Sequence, residues 1–352
     1  MNQALQAIRL SILDRSLTRR GHEPARALRD TVRFAREAEV LGYHRFWVSE
    51  HHGVPGVAGS APTVLAAAVA AATSRIRIGT GGVMLPNHRP LVVAEQFGVL
   101  ESLYPGRIDM GLGRSVGFTG GIRRALGHDK RDAEDFGAQL AELLGYFTGG
   151  QKAHPGVHAL PAEGLRVPAY VLATGAGADI AADHGLPLVI AAAGGQERML
   201  QAIARYRERF QPSAWSARPY VVVAAGIAVA DTTERARRLQ MSEAWATAFS
   251  RTHGVFPPLA PAEEILSTDM TVRERAFFEE SLAGQIHGTE DEVAVALETL
   301  VERSGAAEVL VTMNTFDHEE RLDSYRRLAR LAGAGAPQSE RQSRSRLFSQ
   351  FK

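Results

Sequence analysis

Three consecutive side chains, Glu50, His51 and His52, could carry chemistry, because a carboxylate and two imidazoles can each exchange a proton or bind a metal ion. They stand at the end of a short run of strand-favouring residues, 45–49. Side chains alternate along a strand, so His51 shares a face with Ser49, and Glu50 and His52 share the other. The run therefore predicts one imidazole placed for acid–base chemistry, with a purely structural, hydrogen-bonded pair of histidines as the alternative.

A metal site at these residues would need further histidines or carboxylates beside them. The sequence has no second compact cluster of such residues, and we therefore predict no metal ion. The chain also has no cysteine, which excludes disulfides, thiolate catalysis and cysteine–metal sites and leaves the redox compartment open.

Two glycines, one arginine and one turn could bind a ligand at other predicted strand ends. Gly81 and Gly82 have no Cβ and would let the backbone approach a flat ligand, with a simple turn as the alternative. Arg114 could bind a phosphate through two parallel hydrogen bonds, with a surface ion pair as the alternative. The small residues of 172–179 lead from a strand into a helix and leave backbone N–H groups free for an anion. Their glycine pattern is too short for a dinucleotide-binding fingerprint.

The elements that must position these residues alternate along the chain. Short β-rich runs and longer segments of helical period follow one another eight times. The predicted strands are residues 8–13, 45–49, 76–79, 107–112, 169–173, 187–191, 220–229 and 307–313. Eight alternations predict an α/β fold, a closed (β/α)8 TIM barrel whose site is built by the loops after the strands.

Three segments interrupt the alternation, at residues 114–131, 149–166 and 251–287. We expect them to be insertions, the first and third forming a lid or substrate pocket at the C-terminal face of the barrel. Candidate pocket residues are Asp14, Phe118, Phe256 and Met270, with core packing as the alternative for the three apolar side chains. A single domain is expected over residues 1–332, followed by a tail rich in Gly, Pro, Ser, Gln and Arg over residues 333–352, which we expect to be mobile or an interaction arm.

Composition limits the partners. The 352 residues include 40 basic and 39 acidic side chains, mixed along the chain, so no broad basic surface for nucleic acid is expected. The longest apolar stretches fall well short of the ~20 residues of a membrane span, and no export signal is recognisable. We therefore expect a soluble, cytoplasmic protein that acts on a small molecule.

Four motifs, in this order, resemble those of the bacterial luciferase-like flavin monooxygenases. They are RFWVSEHH at 45–52, GTGGVMLPNHRPLVVAEQF at 79–97, PGRIDMGLGR at 105–114, and the helix-entry turn before AADHGLPLVIA at 181–191. The resemblance spans residues 8–331 and is closer in the first half. Within the family, the chain is most similar to single-chain oxidoreductases associated with natural-product biosynthesis.

The resemblance implies an FMN site at the barrel mouth. It makes His51 the catalytic imidazole, with Glu50 or Asp14 holding its geometry, and it implies a non-proline cis peptide between Gly81 and Gly82 against the flavin ring.

The resemblance also implies that four residues bind the FMN phosphate: Arg114, Ala173, Thr174 and Gly177. Thr174 offers the one hydroxyl of this turn, where family members usually have two. A further phosphate-binding arginine of some members falls near Glu134, so Arg123, Arg124 or Arg131 would have to replace it, and the choice among them stays open.

The activity implied is that of a two-component monooxygenase. Such an enzyme takes reduced FMN from a separate flavin reductase and uses O2, through a flavin hydroperoxide, to oxygenate a small organic substrate. A homodimer through the helices after the second and third strands is also implied. Three alternatives are a deazaflavin-dependent dehydrogenase, a non-catalytic flavin-binding or dimer-partner subunit, and a barrel of unrelated chemistry.

Overall fold

Eleven strands form within residues 8–333, the part of the chain that the computed structural model describes. They are β1 (Arg9–Asp14), β2 (Arg45–Val48), β3 (Arg77–Thr80), β4 (Val83–Met84), β5 (Ile108–Gly113), β6 (Ala169–Ala173), β7 (Leu188–Ala191), β8 (Val221–Ala225), β9 (Ile227–Val229), β10 (Ile286–Gly288) and β11 (Glu308–Val311). Apart from Gly333, the predicted C-terminal tail lies outside the described residues.

Eight of these strands close into a parallel barrel. Neighbouring strands pair in the order β1–β2–β3–β5–β6–β7–β8–β11, and β11 pairs with β1, which closes the ring. The prediction of a (β/α)8 TIM barrel is confirmed, with most strand ends within one or two residues of those expected.

Twelve α-helices lie in the described part of the chain. They are α1 (Pro24–Val40), α2 (Pro62–Ala71), α3 (Pro90–Leu103), α4 (Gly120–Leu126), α5 (Phe136–Thr148), α6 (Gly177–Asp183), α7 (Gln196–Arg209), α8 (Thr233–His253), α9 (Ala262–Leu266), α10 (Val272–Ala283), α11 (Glu290–Ser304) and α12 (His318–Leu331). The helices α1, α2 and α3 each begin with a proline, whose fixed φ and missing N–H suit the first turn. Within residues 8–333, no helix has both the length and the apolar composition that a membrane span requires.

The barrel interior has an ionic layer below an apolar layer. Near the amino ends of the strands, buried Arg45 contacts Asp109 at 2.8 Å and Glu308 at 2.7 Å. The indole N–H of Trp47 donates to Asp109 at 3.1 Å and links the two layers. The apolar layer above contains Leu13, Trp47, Tyr170, Val189, Val222 and Leu310. It fills the barrel beneath the strand ends, so any ligand must bind above it, at the mouth.

Residues 220–229 differ from the prediction, because they form two strands rather than one. The chain leaves the barrel at Gly226, where an added Cβ would lie 2.7 Å from Gln285 Oε1. Beyond this point β9 pairs with β10 in a separate two-stranded sheet. The barrel strand therefore ends at Ala225.

The first and third insertions lie at the C-terminal face, as predicted. In the third, the carbonyl of Phe256 accepts a 2.9 Å hydrogen bond from the N–H of Gly56, in the loop after β2. In the first, Ile122 packs 3.0 Å from the position of a Cβ on Gly53. Residues 149–166 connect α5 to β6 and lie at the opposite end. Met270 is buried in a separate core between α8 and α10, in agreement with the alternative of a packing residue.

Candidate active site at the barrel mouth

His51 lies three residues after the end of β2, at the C-terminal end of the barrel. Its Nδ1 is 3.2 Å from Ser49 Oγ, and its backbone N–H donates to the carbonyl of Gly59 at 2.9 Å. Burial and the nearby charge of Arg15 lower the pKa of His51 to about 4. The imidazole is therefore neutral at physiological pH. Its Nε2 has no hydrogen-bond partner among residues 8–333 and is available to a ligand.

Arg15 is a member of this site that the sequence analysis missed. It directly follows β1 and forms an ion pair with Glu243 of α8, and both side chains are about four-fifths buried. Its Nε is buried without a hydrogen-bond partner in the described chain. A signal was present, since Arg15 follows the predicted strand 8–13 by two residues, as a charged side chain near a strand end. The helix that leads into the third insertion thus brings a carboxylate to the mouth.

Glu50 makes no hydrogen bond to His51, contrary to the expected supporting role. Its fully buried carboxylate accepts from the backbone N–H of Met84 at 2.9 Å and from the side-chain amide of Asn87 at 3.2 Å. Nε2 of His88 lies 3.0 and 2.9 Å from the two carboxylate oxygens. Burial would raise the pKa of Glu50, but the hydrogen bonds and charge from His88, with those from Met84 and His52, hold the pKa below its usual value. Glu50 is therefore a positioning residue for segment 84–88 and not a group that reaches a substrate.

The same network contains a set of side chains that could bind a metal ion. Ligand atoms of Glu50, His52 and His88 all lie within 4.8 Å of one another. The sequence has no second compact cluster of such residues, but the fold brings one distant histidine, His88, to residues 50–52. The barrel pairs β2 with β3, so the loops after these strands meet and bring His88 to the Glu50 carboxylate.

The peptide bond between Gly81 and Gly82 is cis, as the family resemblance implied. A Cβ on Gly81 would lie 2.5 Å from Leu13 Cδ1, and a Cβ on Gly82 would lie 2.9 Å from the carbonyl oxygen of Gly111. The backbone oxygen of Gly111 excludes a Cβ on Gly82, whereas a Cβ on Gly81 would require the end of the Leu13 side chain to move. Packing within the barrel therefore favours glycine at both positions, independently of any ligand.

Arg114 directly follows β5 and lies against the turn before α6. A Cβ on Gly177 would be 4.0 Å from Arg114 Cδ and 3.0 Å from Ala173 Cβ. Within residues 8–333, the Arg114 guanidinium has no hydrogen-bond or ion-pair partner, and Thr174 is exposed. The structure thus brings together an unpaired cation and the predicted phosphate-binding turn.

The three other candidate arginines lie around a different cavity. It has a volume of about 320 Å³ and is lined by Gly120, Arg123, Arg124, His128, Asp129, Lys130 and Arg131. Arg123 donates to the carbonyl of Gly117 at 2.8 Å. The choice among Arg123, Arg124 and Arg131 as a second phosphate-binding residue stays a prediction.

Asp14 does not belong to the substrate pocket. Strand alternation turns Leu13 into the barrel and Asp14 outward, where its carboxylate forms a 2.8 Å ion pair with Arg321 of α12 and accepts from Thr31 of α1 at 2.8 Å. The side chain is buried between helices, so the predicted roles of Asp14 in the pocket and beside His51 are both wrong.

The two predicted pocket phenylalanines lie in different surroundings. Phe256 packs at the rim against a small cluster of Leu17, Ala246 and Leu259, which joins the third insertion to the barrel. Phe118 is 62% exposed in the first insertion. The assignment of both residues to a substrate pocket stays a prediction.

Comparison with known proteins agrees with this geometry. The sequence model of the family described as luciferase-like monooxygenase matches residues 9–308. An uncharacterised Bacillus subtilis protein, YvbT, is 40% identical over 321 residues, which cover 91% of this chain and 95% of YvbT. A luciferase-like monooxygenase of Escherichia coli strain K12 is 35% identical over 322 residues, which cover 91% of this chain and 96% of that protein.

Solved structures share the fold. The crystal structure of apo-MsnO8 has a TM-score of 0.82 at 29% identity and covers 93% of this chain and 99% of its own. At lower identity, the fold is shared by a type II Baeyer–Villiger monooxygenase of Pseudomonas putida in complex with FMN, with a TM-score of 0.68 at 17% identity, covering 93% of this chain and 98% of its own. It is also shared by an F420-dependent secondary alcohol dehydrogenase, with a TM-score of 0.66 at 16% identity, covering 94% of this chain and 99% of its own. The fold alone therefore accommodates both cofactor types.

Proposed function

Because the chain belongs to the luciferase-like monooxygenase family, we propose that it uses reduced FMN and O2 to oxygenate a small organic substrate. The observation that carries this proposal is His51, a neutral imidazole at the barrel mouth whose Nε2 has no partner in the described chain. A separate flavin reductase would supply the reduced FMN by diffusion or in a transient complex. The substrate would be a small molecule, and a natural product fits the sequence resemblance.

The residues at the mouth fit FMN. Among residues 8–333 the Arg114 guanidinium has no protein partner, and it lies against the turn that contains Ala173, Thr174 and Gly177. This arrangement suits a phosphate dianion, which would receive charge-assisted hydrogen bonds from the guanidinium and further bonds from the turn. The apolar layer with Leu13 and Trp47 lies beneath the Gly81–Gly82 peptide and suits the flat, apolar body of a flavin ring.

Bound reduced FMN would supply two electrons which, with O2, place one oxygen atom on the substrate and release the other as water. The protein would supply shelter and proton handling. His51 would donate or accept a hydrogen bond through Nε2, while the Ser49 hydroxyl fixes the ring from the Nδ1 side. Burial and Arg15 keep the imidazole neutral, so it would not carry a competing charge into the site.

The third insertion would limit water at one side of the mouth. Its residues bind the loop after β1 through a hydrogen bond from Arg20 N–H to the Leu259 carbonyl at 2.9 Å, and bind the loop after β2 through Gly56 and Phe256. Water exclusion would slow the unproductive loss of hydrogen peroxide.

The enzyme would act as a homodimer through α2 and α3. Helix α2 is apolar almost all round, yet Val64, Ala68 and Ala71 are exposed on its outer face. On the neighbouring α3, Val92, Val99 and Leu103 are exposed, and Thr63 donates to Gln96 at 3.0 Å to join the two helices. An apolar helix is normally covered on all sides, so this face suits a second copy of the chain.

An anaerobic titration separates this function from its rivals. We expect reduced FMN to bind more tightly than reduced deazaflavin, and addition of O2 to oxidise the bound flavin. Tighter binding of the deazaflavin, with no reaction toward O2, would support the dehydrogenase instead. Flavin binding without any oxygen-dependent turnover in the presence of a competent reductase would support the non-catalytic subunit.

A further inference from the structure

Glu50, His52 and His88 place three metal-binding groups around one point beside the barrel mouth. Nε2 of His52 is 2.8 Å from Glu50 Oε1, and Nε2 of His88 is 3.0 Å from the same oxygen. None of the three is a reacting group in the proposed oxygenation. Two imidazoles and one carboxylate are a recurrent ligand set for zinc and for other divalent transition metals.

The carboxylate of this cluster is already oriented by groups that would not bind the ion. The N–H of Met84 donates to Oε2 of Glu50 at 2.9 Å, and the amide of Asn87 donates to Oε1 at 3.2 Å. Such donors fix the direction of a ligand carboxylate, and their loss typically weakens metal binding about 10- to 100-fold. The Glu50 side chain is fully buried, so its position does not depend on solvent.

The two imidazoles leave a path for an ion. The side chains of His52 and His88 are 21% and 29% exposed, whereas the carboxylate lies beneath them. Three protein ligands leave a fourth position of a tetrahedral ion open to water.

One buried polar atom next to the cluster, Oδ1 of Asn87, has no hydrogen-bond partner in the described part of the chain. Asn87 is more than nine-tenths buried, and its Oδ1 accepts no hydrogen bond within the described residues, although its Nδ2 donates to Glu50. Buried polar oxygens normally have a donor. A water molecule bound to an ion at this cluster could supply that donor.

We propose that Glu50, His52 and His88 bind one divalent transition-metal ion with the preferences of zinc, and that this ion joins the loops that follow β2 and β3. The imidazoles would bind the ion through Nε2 in their neutral form, with their protons on Nδ1. Metal–ligand bonds would replace the hydrogen bonds that the two imidazoles now make with the carboxylate. His51 lies outside the cluster, with its Nδ1 beside Ser49. The site does not depend on the proposed oxygenation.

The test uses the full-length chain without a histidine tag, freed of metal by a chelator. Calorimetric titration with Zn²⁺ should show saturable binding of a single ion per chain. Co²⁺ should give the visible absorption of a tetrahedral site, and Zn²⁺ should raise the melting temperature. None of these measurements requires flavin or substrate.

Variants locate the site. His52→Ala and His88→Ala should each abolish the cobalt spectrum, and Asn87→Ala should weaken zinc binding about 10- to 100-fold. His51→Ala, which changes the neighbouring imidazole, should bind the ion like the parent chain. Circular dichroism without metal shows whether each variant is folded. If His52→Ala is not folded, His52→Gln is used in its place.

The proposal is overturned if the parent chain shows no saturable binding of Zn²⁺ or Co²⁺. It is also overturned if folded His52 and His88 variants bind as tightly as the parent, or if His51→Ala loses the ion while those variants keep it. Failure of this site would leave the proposed oxygenation untouched, because the two are measured separately.

Discussion

The ring of His88 lies within 3.0 Å of both carboxylate oxygens of Glu50, which ties the end of β2 to the segment after the Gly81–Gly82 cis peptide. Strands β2 and β3 are neighbours in the barrel, and this contact extends their pairing into the loops of the mouth. Glu50 therefore maintains one wall of the site, while Nε2 of its neighbour His51 has no hydrogen-bond partner in the described part of the chain.

Glu50→Gln should destabilise the protein by about 1–3 kcal/mol, because the amide offers only one oxygen to donors that now face two. Glu163→Gln is the matched control, since Glu163 pairs with His158 at 2.6 Å in a largely exposed setting, where such pairs contribute about 0–1 kcal/mol. Urea unfolding at neutral pH measures both changes. Equal losses in the two variants would contradict the assigned role of Glu50.

The pH dependence of this effect has a defined sign. The pKa of Glu50 is lower in the folded protein than its ordinary value of 4.5. Its contribution to the free energy of unfolding is therefore complete above pH 4.5 and disappears as the pH falls through the folded pKa. The stability difference between parent and Glu50→Gln should shrink over that acidic range.

His51 should remain neutral throughout the physiological range, because its pKa is about 4. Arg15→Gln should raise this pKa only part of the way to 6.5, since burial is the larger cause and remains. An NMR titration of the histidine ring protons, assigned with His51→Gln, measures both values. Arg20→Gln, which removes an exposed arginine paired with Glu264, should leave the His51 pKa unchanged. A parent pKa near 6.5 would remove the argument for a neutral imidazole.

Arg114→Gln should weaken FMN binding about 10- to 100-fold, the effect of losing charge-assisted hydrogen bonds to a phosphate. Riboflavin, which lacks the phosphate, should bind parent and variant equally. Arg124 lines the 320 Å³ cavity, so the FMN affinity of Arg124→Gln shows whether that cavity contributes to phosphate binding. A uniform loss for FMN and riboflavin would show that Arg114 acts on the fold and not on the phosphate.

Asp14→Asn should destabilise the chain by about 3–5 kcal/mol, because it leaves the buried charge of Arg321 without its partner. Flavin affinity of the folded variant should be unchanged, since Asp14 faces the helices. Asp183→Asn, which breaks the exposed ion pair with Arg209, should change stability by no more than about 1 kcal/mol. Chemical unfolding and flavin titration give the two readouts, and a selective loss of substrate or flavin binding in Asp14→Asn would restore its place in the pocket.

A charge on the exposed apolar face of α2 or α3 should prevent dimer formation. Val64→Asp places a carboxylate on this face of α2, and Val99→Asp places one on α3. Val272→Asp, which changes an exposed valine on α10, is the control. Sedimentation should show a dimer for the parent and Val272→Asp and a monomer for the other two. A monomeric parent would refute the proposed assembly.

The barrel could be predicted from the sequence because short β-rich runs indicate strands, segments of helical period indicate helices, and the two alternate eight times along the chain. The cis peptide and the proximity of Arg114 to Gly177 were predicted from ordered motifs that resemble those of a known family. The periodicity of hydrophobic residues could not have predicted either feature. Asp14 was misassigned because a strand end offers two faces and the sequence alone does not say which one turns outward.

The metal-binding cluster escaped prediction for a different reason. Glu50 and His88 are 38 positions apart and meet only because β2 and β3 are neighbours in the closed barrel. Arg15 and Glu243 are 228 positions apart and meet because α8 lies over the mouth. Such contacts depend on the tertiary structure. The positions of charged residues near strand ends do not show which of these residues contact one another.

The most direct test of the central claim is the incorporation of oxygen from ¹⁸O2 into product. Purified protein, FMN, a flavin reductase and NADH are incubated with a panel of small organic substrates, and products are analysed by mass spectrometry. We expect one ¹⁸O atom per product molecule, and in His51→Ala less product and more hydrogen peroxide with FMN binding retained. Products without ¹⁸O, or equal product and peroxide yields in the parent and His51→Ala, would contradict the account.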